Sequence, residues 1–238
     1  MFKVTKYNTL RPFDWFLILG VILANIIYSI LESDFDLVGS VAAVTGVICV
    51  VLVAKGNIIN YFFGLINVSL YAWISFKAGL FGDAALNAFY YLPMQFIGWY
   101  GWVNKRESDN SVTVVALRMS QVQRLYLSLF TLVAVAVVAL ILKYFGDPQP
   151  VKDSATTVLS IIAMFLMVKR YTEQWVLWIA VNIISVVMWS IAFTRGESHS
   201  VLMVIMWIFY LMNSVNGLIN WMTLSRNSLK ESRLHANR

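Results

Sequence analysis

Apolar residues run along this 238-residue chain in eight long stretches divided by short polar turns. The stretches are 13–31, 37–54, 58–76, 84–103, 125–142, 155–168, 175–193 and 201–224. A helix of roughly 17–25 residues crosses a hydrocarbon core about 30 Å thick, so most of these predict transmembrane helices. The sixth is short and must extend into its flanks. The first is too long, and too poor in a small-residue cleavage pattern, for a signal peptide that is removed. The pattern predicts an all-α integral membrane protein with eight transmembrane helices.

Polar residues inside the stretches are few and share faces. Trp175, Trp178, Asn182, Ser185 and Trp189 fall within an arc of roughly 80° on one helix. Asn182 and Ser185 sit near mid-span. An amide at that depth does not face lipid, so this face looks at protein or at a polar cavity. Asn67, Gln95 and Asn213 are central amides on three other spans. Asn213, Asn216 and Asn220 share one narrow arc, and Tyr91, Gln95, Trp99 and Trp102 another. Amides between membrane helices often act only as glue, worth ~0.6–2 kcal/mol each. Four of them beside aromatics point instead to a shared polar chamber.

Trp15, Trp73, Trp102 and Trp221 lie near span ends and read as interface anchors, a reading open to Trp175 as well. Pro93 removes a backbone donor and frees a carbonyl near Phe89, which predicts either a gating hinge or a fixed kink beside Gln95. Gly39, Ala43 and Gly46 line one helix face and predict close helix packing.

Composition agrees with the pattern: 60% of residues are apolar, only 13% are charged, and the mean hydropathy is +0.72. With the N-terminus inside and eight crossings, 14 of the 18 Lys and Arg residues fall on cytoplasmic segments. The four external ones are Lys77, Lys143, Lys152 and Arg195, while Glu32, Asp34 and Asp36 gather outside. The positive-inside rule thus predicts cytoplasmic N- and C-termini. The net charge of +6 is a topology signal, because a nucleic-acid partner would need a clustered basic face. Cys49, the single cysteine, excludes an intrachain disulfide.

A weak repeat recurs at about 115–119 residues. It pairs Asn67 with Asn182, Lys55 with Lys169, Tyr91 with Tyr210 and Trp102 with Trp221. The units are three spans each, and units four crossings apart point the same way through the membrane. The expected organisation is a tail and extra helix over 1–36, a first three-helix bundle over 37–104 and a linker helix within 105–154. A second three-helix bundle over 155–225 and a cytoplasmic tail over 226–238 complete it. The helix at 13–31 lies outside the repeat and reads as peripheral.

Missing chemistry narrows the function. Spans 58–76, 125–142, 175–193 and 201–224 hold no charged residue and no histidine, so no proton relay is visible at mid-depth. Asp83 and Glu173 sit at span ends, where solvent reaches them. There is no Walker-type phosphate loop, no metal-ligand cluster and no familiar catalytic set; His199 and His235 are peripheral. Catalytic residues, metals and cofactors are therefore expected to be absent. Tryptophan and tyrosine faces suit a flat ring and favour a cation. Amides suit hydroxyls or a carboxamide, and the lack of cations disfavours phosphate. A nucleoside or a sugar fits.

The segments NYFFGLINVSLYAW (60–73), FIGWYGW (96–102) and VLSIIAMFLMVKRYTEQW running into WVLWIAVNIISVV (158–187) resemble the PnuC family of bacterial nicotinamide riboside transporters. The resemblance covers about residues 37–224. It implies a SWEET-like fold, with three-plus-one-plus-three helices, and facilitated diffusion of nicotinamide riboside, a vitamin B3 form, across the bacterial inner membrane. It also implies trapping by a separate cytoplasmic kinase. The expected site is Trp178, Asn182, Ser185 and Trp189 with Gln95, Asn67 and Trp99, closed by Asn213, with Tyr91 and Tyr210 as gates. The alternatives are a SWEET-like uniporter of a sugar, thiamine or another nucleoside, and a non-transporting membrane subunit. The partners are the substrate, the lipid bilayer and, as an option, further copies of the chain in a homo-oligomer.

Overall fold

The computed structural model describes residues 9–31, 36–77, 81–106, 113–195 and 200–236. Glu32, Asp34 and His199 lie outside the described residues. The described chain is all-helical: α1 (Pro12–Leu31), α2 (Leu37–Ala54), α3 (Asn60–Lys77), α4 (Phe81–Leu86), α5 (Leu92–Val103), α6 (Gln121–Tyr144), α7 (Pro150–Val168), α8 (Gln174–Thr194) and α9 (Ser200–Ala236). A π-helical turn, Asn87–Tyr91, joins α4 to α5.

Local chemistry sets several boundaries. Asp36 caps α2 by accepting from the Gly39 N–H at 2.9 Å. Ser120 and Gln123 form a capping box at the start of α6. Pro150 opens α7, where a missing N–H costs nothing, which explains how the short sixth stretch gains length. Pro93 stands in the first turn of α5, directly after the π turn. The wider turn absorbs the donor that proline lacks, so the helix continues through Pro93, where a hinge or a kink was expected.

Among the described residues, six helices are long and apolar enough to cross a membrane, at Pro12–Ile30, Leu37–Ala54, Gln121–Tyr144, Pro150–Val168, Gln174–Thr194 and Met203–Arg226. The third and fourth stretches are helical too, as α3 and α4–α5, but carry more polar residues. Six segments close a ring through successive contacts: α2 on α3, α3 on α4–α5, α5 on α7, α7 on α8, α8 on α9 and α9 on α2. α6 packs outside on α7, and its Leu125, Leu129, Phe130 and Leu132 are exposed. Such surfaces are what a multi-pass protein offers to lipid.

α1 packs outside the ring on α2 and α9. It is tied more firmly than a peripheral helix requires. Asp14, 1% exposed, pairs with Lys55 at the end of α2 at 2.5 Å. Asp14 also accepts from the Arg11 N–H at 2.7 Å and from Asn216 of α9 at 3.4 Å. A carboxylate this deep is tolerable only because each oxygen has a partner.

The end of the ring that carries Asp14 is solid. Tyr61, Trp102, Trp175 and Trp221 are each at most 2% exposed and form one core with Val53, Met164, Met167 and Leu224. This corrects the reading of Trp102, Trp221 and Trp175 as interface anchors; Trp15 and Trp73, 49% and 54% exposed, do lie on the surface. Depth along a helix places a residue near the interface, but only the packed face decides whether it meets headgroups or core. The Trp102 indole donates to the Met167 carbonyl at 3.1 Å, and the Trp221 indole donates to the Val53 carbonyl at 2.8 Å. Tyr61 meets Trp102 edge-on at 5.0 Å, and Trp175 meets Trp221 at 6.3 Å.

Beneath this plug runs an extended linker. The Val114 N–H donates to Gly56 at 3.0 Å and the Leu117 N–H to Arg170 at 2.8 Å. Gly56 and Arg170 hold matching left-handed turns, with φ of 64° and 65°. One strand thereby staples the turn after α2 to the turn after α7.

Candidate functional site

The opposite end of the ring is hollow. A cavity of about 600 Å³ is lined by the starts of α2, α7 and α9, the C-terminal parts of α3 and α8, and α4 with the π turn. Because neighbouring helices run in opposite directions, all of these lie on one side of the protein. Its polar wall comprises Asn67, Tyr71, Asp83, Asn87, Tyr91, Thr156, Thr157, Ser160, Ser185 and Tyr210, with the rings of Trp189 and Trp207 beside them.

Of the site residues expected from the sequence, Asn67, Tyr91, Ser185, Trp189 and Tyr210 come together here. Asn67 donates to the Ala42 carbonyl at 2.8 Å. Gly39, Ala42 and Ala43 also line the cavity. The small-residue face of α2 therefore makes room as well as packing contacts. A Cβ built on Gly46 would stand 2.8 Å from Asn67 Nδ2 and 3.7 Å from Tyr210 Oη, so that glycine keeps the floor open.

The other five lie outside the cavity lining. Asn182 is buried and donates to Ser214 of α9 at 2.7 Å. Asn213 donates to the Val50 carbonyl of α2 at 3.0 Å, while Asn216 and Asn220 continue toward Asp14. The amide arc of α9 thus faces α1 and α2. Trp178 packs against the plug. Gln95 is buried beneath the cavity beside Gly64, and its Oε1 has no hydrogen-bond partner among the described residues. Trp99 is 46% exposed on the outer surface. Spacing by four residues advances the direction by about 40° per step, so the arc from Tyr91 to Trp99 drifts off the inner face.

Sequence reasoning passed over Tyr71, Asn87, Ser160 and Trp207, and set Asp83 aside as a solvated residue at a span end. Trp207 was findable, since it stands three residues before Tyr210 on the same helix face and meets it edge-on at 5.8 Å. Its indole N–H is buried and has no partner among the described residues. Asp83 and Ser160 gave no local signal, because neither belongs to a stripe. A second crevice, of about 430 Å³, holds Lys152 and Arg195. Its walls include Ile183, Val187 and Ile191, all about half exposed, so it opens toward the lipid side of α8.

Comparison with known proteins fits this geometry. A family model described as nicotinamide mononucleotide transporter matches residues 36–223. The nicotinamide riboside transporter PnuC of Neisseria mucosa is 42% identical over 188 residues, 78% of this chain and 72% of that protein. PnuC of Haemophilus influenzae is 32% identical over 219 residues, 92% of this chain and 93% of that protein. The crystal structure of the vitamin B3 transporter PnuC superposes with a TM-score of 0.77 at 37% identity, covering 93% of this chain and 95% of that one. A ring of helices around a polar, aromatic cavity, plugged at one end and matched along nearly its whole length by these proteins, belongs to the PnuC family of membrane transporters.

Proposed function

We propose that this chain carries nicotinamide riboside across the bacterial inner membrane by facilitated diffusion with alternating access. The observation that carries the reading is the cavity itself: aromatic rings and hydrogen-bonding groups, all neutral but Asp83, around a volume of about 600 Å³, hollow on one side and plugged on the other. Rings of Trp189, Trp207 and Tyr210 suit a flat pyridinium, and the hydroxyls and amides suit a ribose and a carboxamide. The described lining contains no Lys or Arg, which favours the riboside over its phosphorylated form.

In this reading the protein crosses the membrane eight times, with α3 and α4–α5 as the third and fourth spans and both termini in the cytoplasm. The cavity then opens to the exterior and the plug closes the cytoplasmic end. The reciprocal indole bonds support two parallel three-helix units, 37–104 and 155–225, with α6 as the linker. Rocking of the units would open the plug and close the mouth, with Tyr91 and Tyr210 near the moving wall. Asn182, Asn213 and Gln95 keep a role at the floor that such a movement would uncover. Neither ATP nor a coupled ion is needed, and a separate cytoplasmic kinase makes uptake one-way.

The test is uptake of labelled nicotinamide riboside into liposomes, with and without imposed proton and sodium gradients. With the membrane potential held at zero, because the substrate is itself a cation, the expected result is equilibration to the external concentration regardless of gradient. Accumulation driven by either gradient refutes uniport, and no uptake at all refutes the transport reading.

A further inference from the structure

We infer that Asp83 is the specificity determinant that makes the cavity prefer a monovalent organic cation over a neutral solute of the same shape. The inference rests on the proposed function and names a residue for its charge preference. Asp83 is the one charged residue in the described lining. Asp83 of α4 lines the same cavity as Tyr71 of α3 and as Trp189, Trp207 and Tyr210.

Its charge is left unspent. Asp14 is paired with Lys55 and Glu173 with Arg124. Asp83 forms no ion pair among the described residues. Lys77, the basic group before it in sequence, lies over the Trp73 ring at 4.7 Å. Residues 78–80, between them, are Ala, Gly and Leu. The α4 turn is held by its backbone instead, through Asn87 donating to the Asp83 carbonyl at 2.9 Å. A carboxylate with no cation beside it among the described residues, exposed where it opens on a chamber of π-faces, gives the cavity's entrance a negative potential. Field lines from such a charge are focused by low-dielectric walls. A pyridinium gains from both the carboxylate and the rings, whereas a neutral ring gains from the rings alone.

The experiment measures binding and liposome uptake of two probes by the purified full chain. One is nicotinamide riboside, a cation; the other is its dihydropyridine form, which keeps the ribose and carboxamide but is neutral. In Asp83→Asn, affinity for the cation is expected to fall roughly tenfold, and affinity for the neutral form to stay within about twofold. Asp83→Glu should retain the preference. Raising the salt concentration should weaken cation binding to the unaltered protein and leave the neutral probe unaffected, a readout that needs no variant to fold. Equal losses for both probes, or no loss for either, overturn the inference while leaving transport intact. If the unaltered protein binds neither probe, the proposed function falls and this inference falls with it.

Discussion

Replacing Trp102 and Trp221 with phenylalanine removes two indole N–H groups and keeps an aromatic ring at each place. Each lost bond is buried and neutral, so each is worth about 1 kcal/mol. The acceptors are not stranded: Met167 still receives the Arg170 N–H at 2.9 Å, and Val53 the Gly56 N–H at 2.8 Å. In alternating access these bonds exist only while the plugged end is closed. Losing one therefore shifts the balance toward opening of that end by about fivefold, and losing both by about 30-fold. Cys49, the only cysteine, packs against the plug and serves as a native reporter. A membrane-impermeant maleimide applied from the plugged side should label Cys49 faster in Trp102→Phe and Trp221→Phe, and fastest in the double variant. Trp73→Phe, on the exposed surface, should label like the unaltered chain. Equal labelling rates in all five proteins would refute the view that the indole bonds hold the plug shut.

Two predictions concern the same end of the molecule. Gly98→Ala and Gly217→Ala would each drive a methyl group into a buried ring, Tyr61 in the first case and Trp175 in the second; thermal unfolding in detergent should show each variant destabilised by about 1–3 kcal/mol. Lys55→Met leaves Asp14 charged and buried without its partner and should cost about 3–5 kcal/mol, whereas Asp14→Asn combined with Lys55→Met should recover much of it, read by the same unfolding measurement.

The all-helical class and the membrane class follow from patterns that a linear chain displays. Apolar runs of crossing length have one economical solution in lipid, because every backbone group must be satisfied within its own helix. The expected repeat set Trp102 beside Trp221 in position, but nothing in it showed that their rings meet, at 5.6 Å. The Asn182 stripe was legible as a face that avoids lipid, but a face can turn toward a cavity or toward another helix. Asn182 meets Ser214, while Ser185 and Trp189, on the same stripe, reach the cavity.

The amino-acid order by itself determined the helices, their burial in a membrane and the polar character of the inner faces, because hydrophobic length and helical period are local properties. Only the tertiary structure decided which end is hollow and which is plugged. Those outcomes depend on residues far apart in sequence. The carbonyl of Val53 finds the indole of Trp221, and Asp83 from α4 joins Trp189 from α8 around one space. No periodicity encodes such meetings, because they follow from how six helices close into a ring.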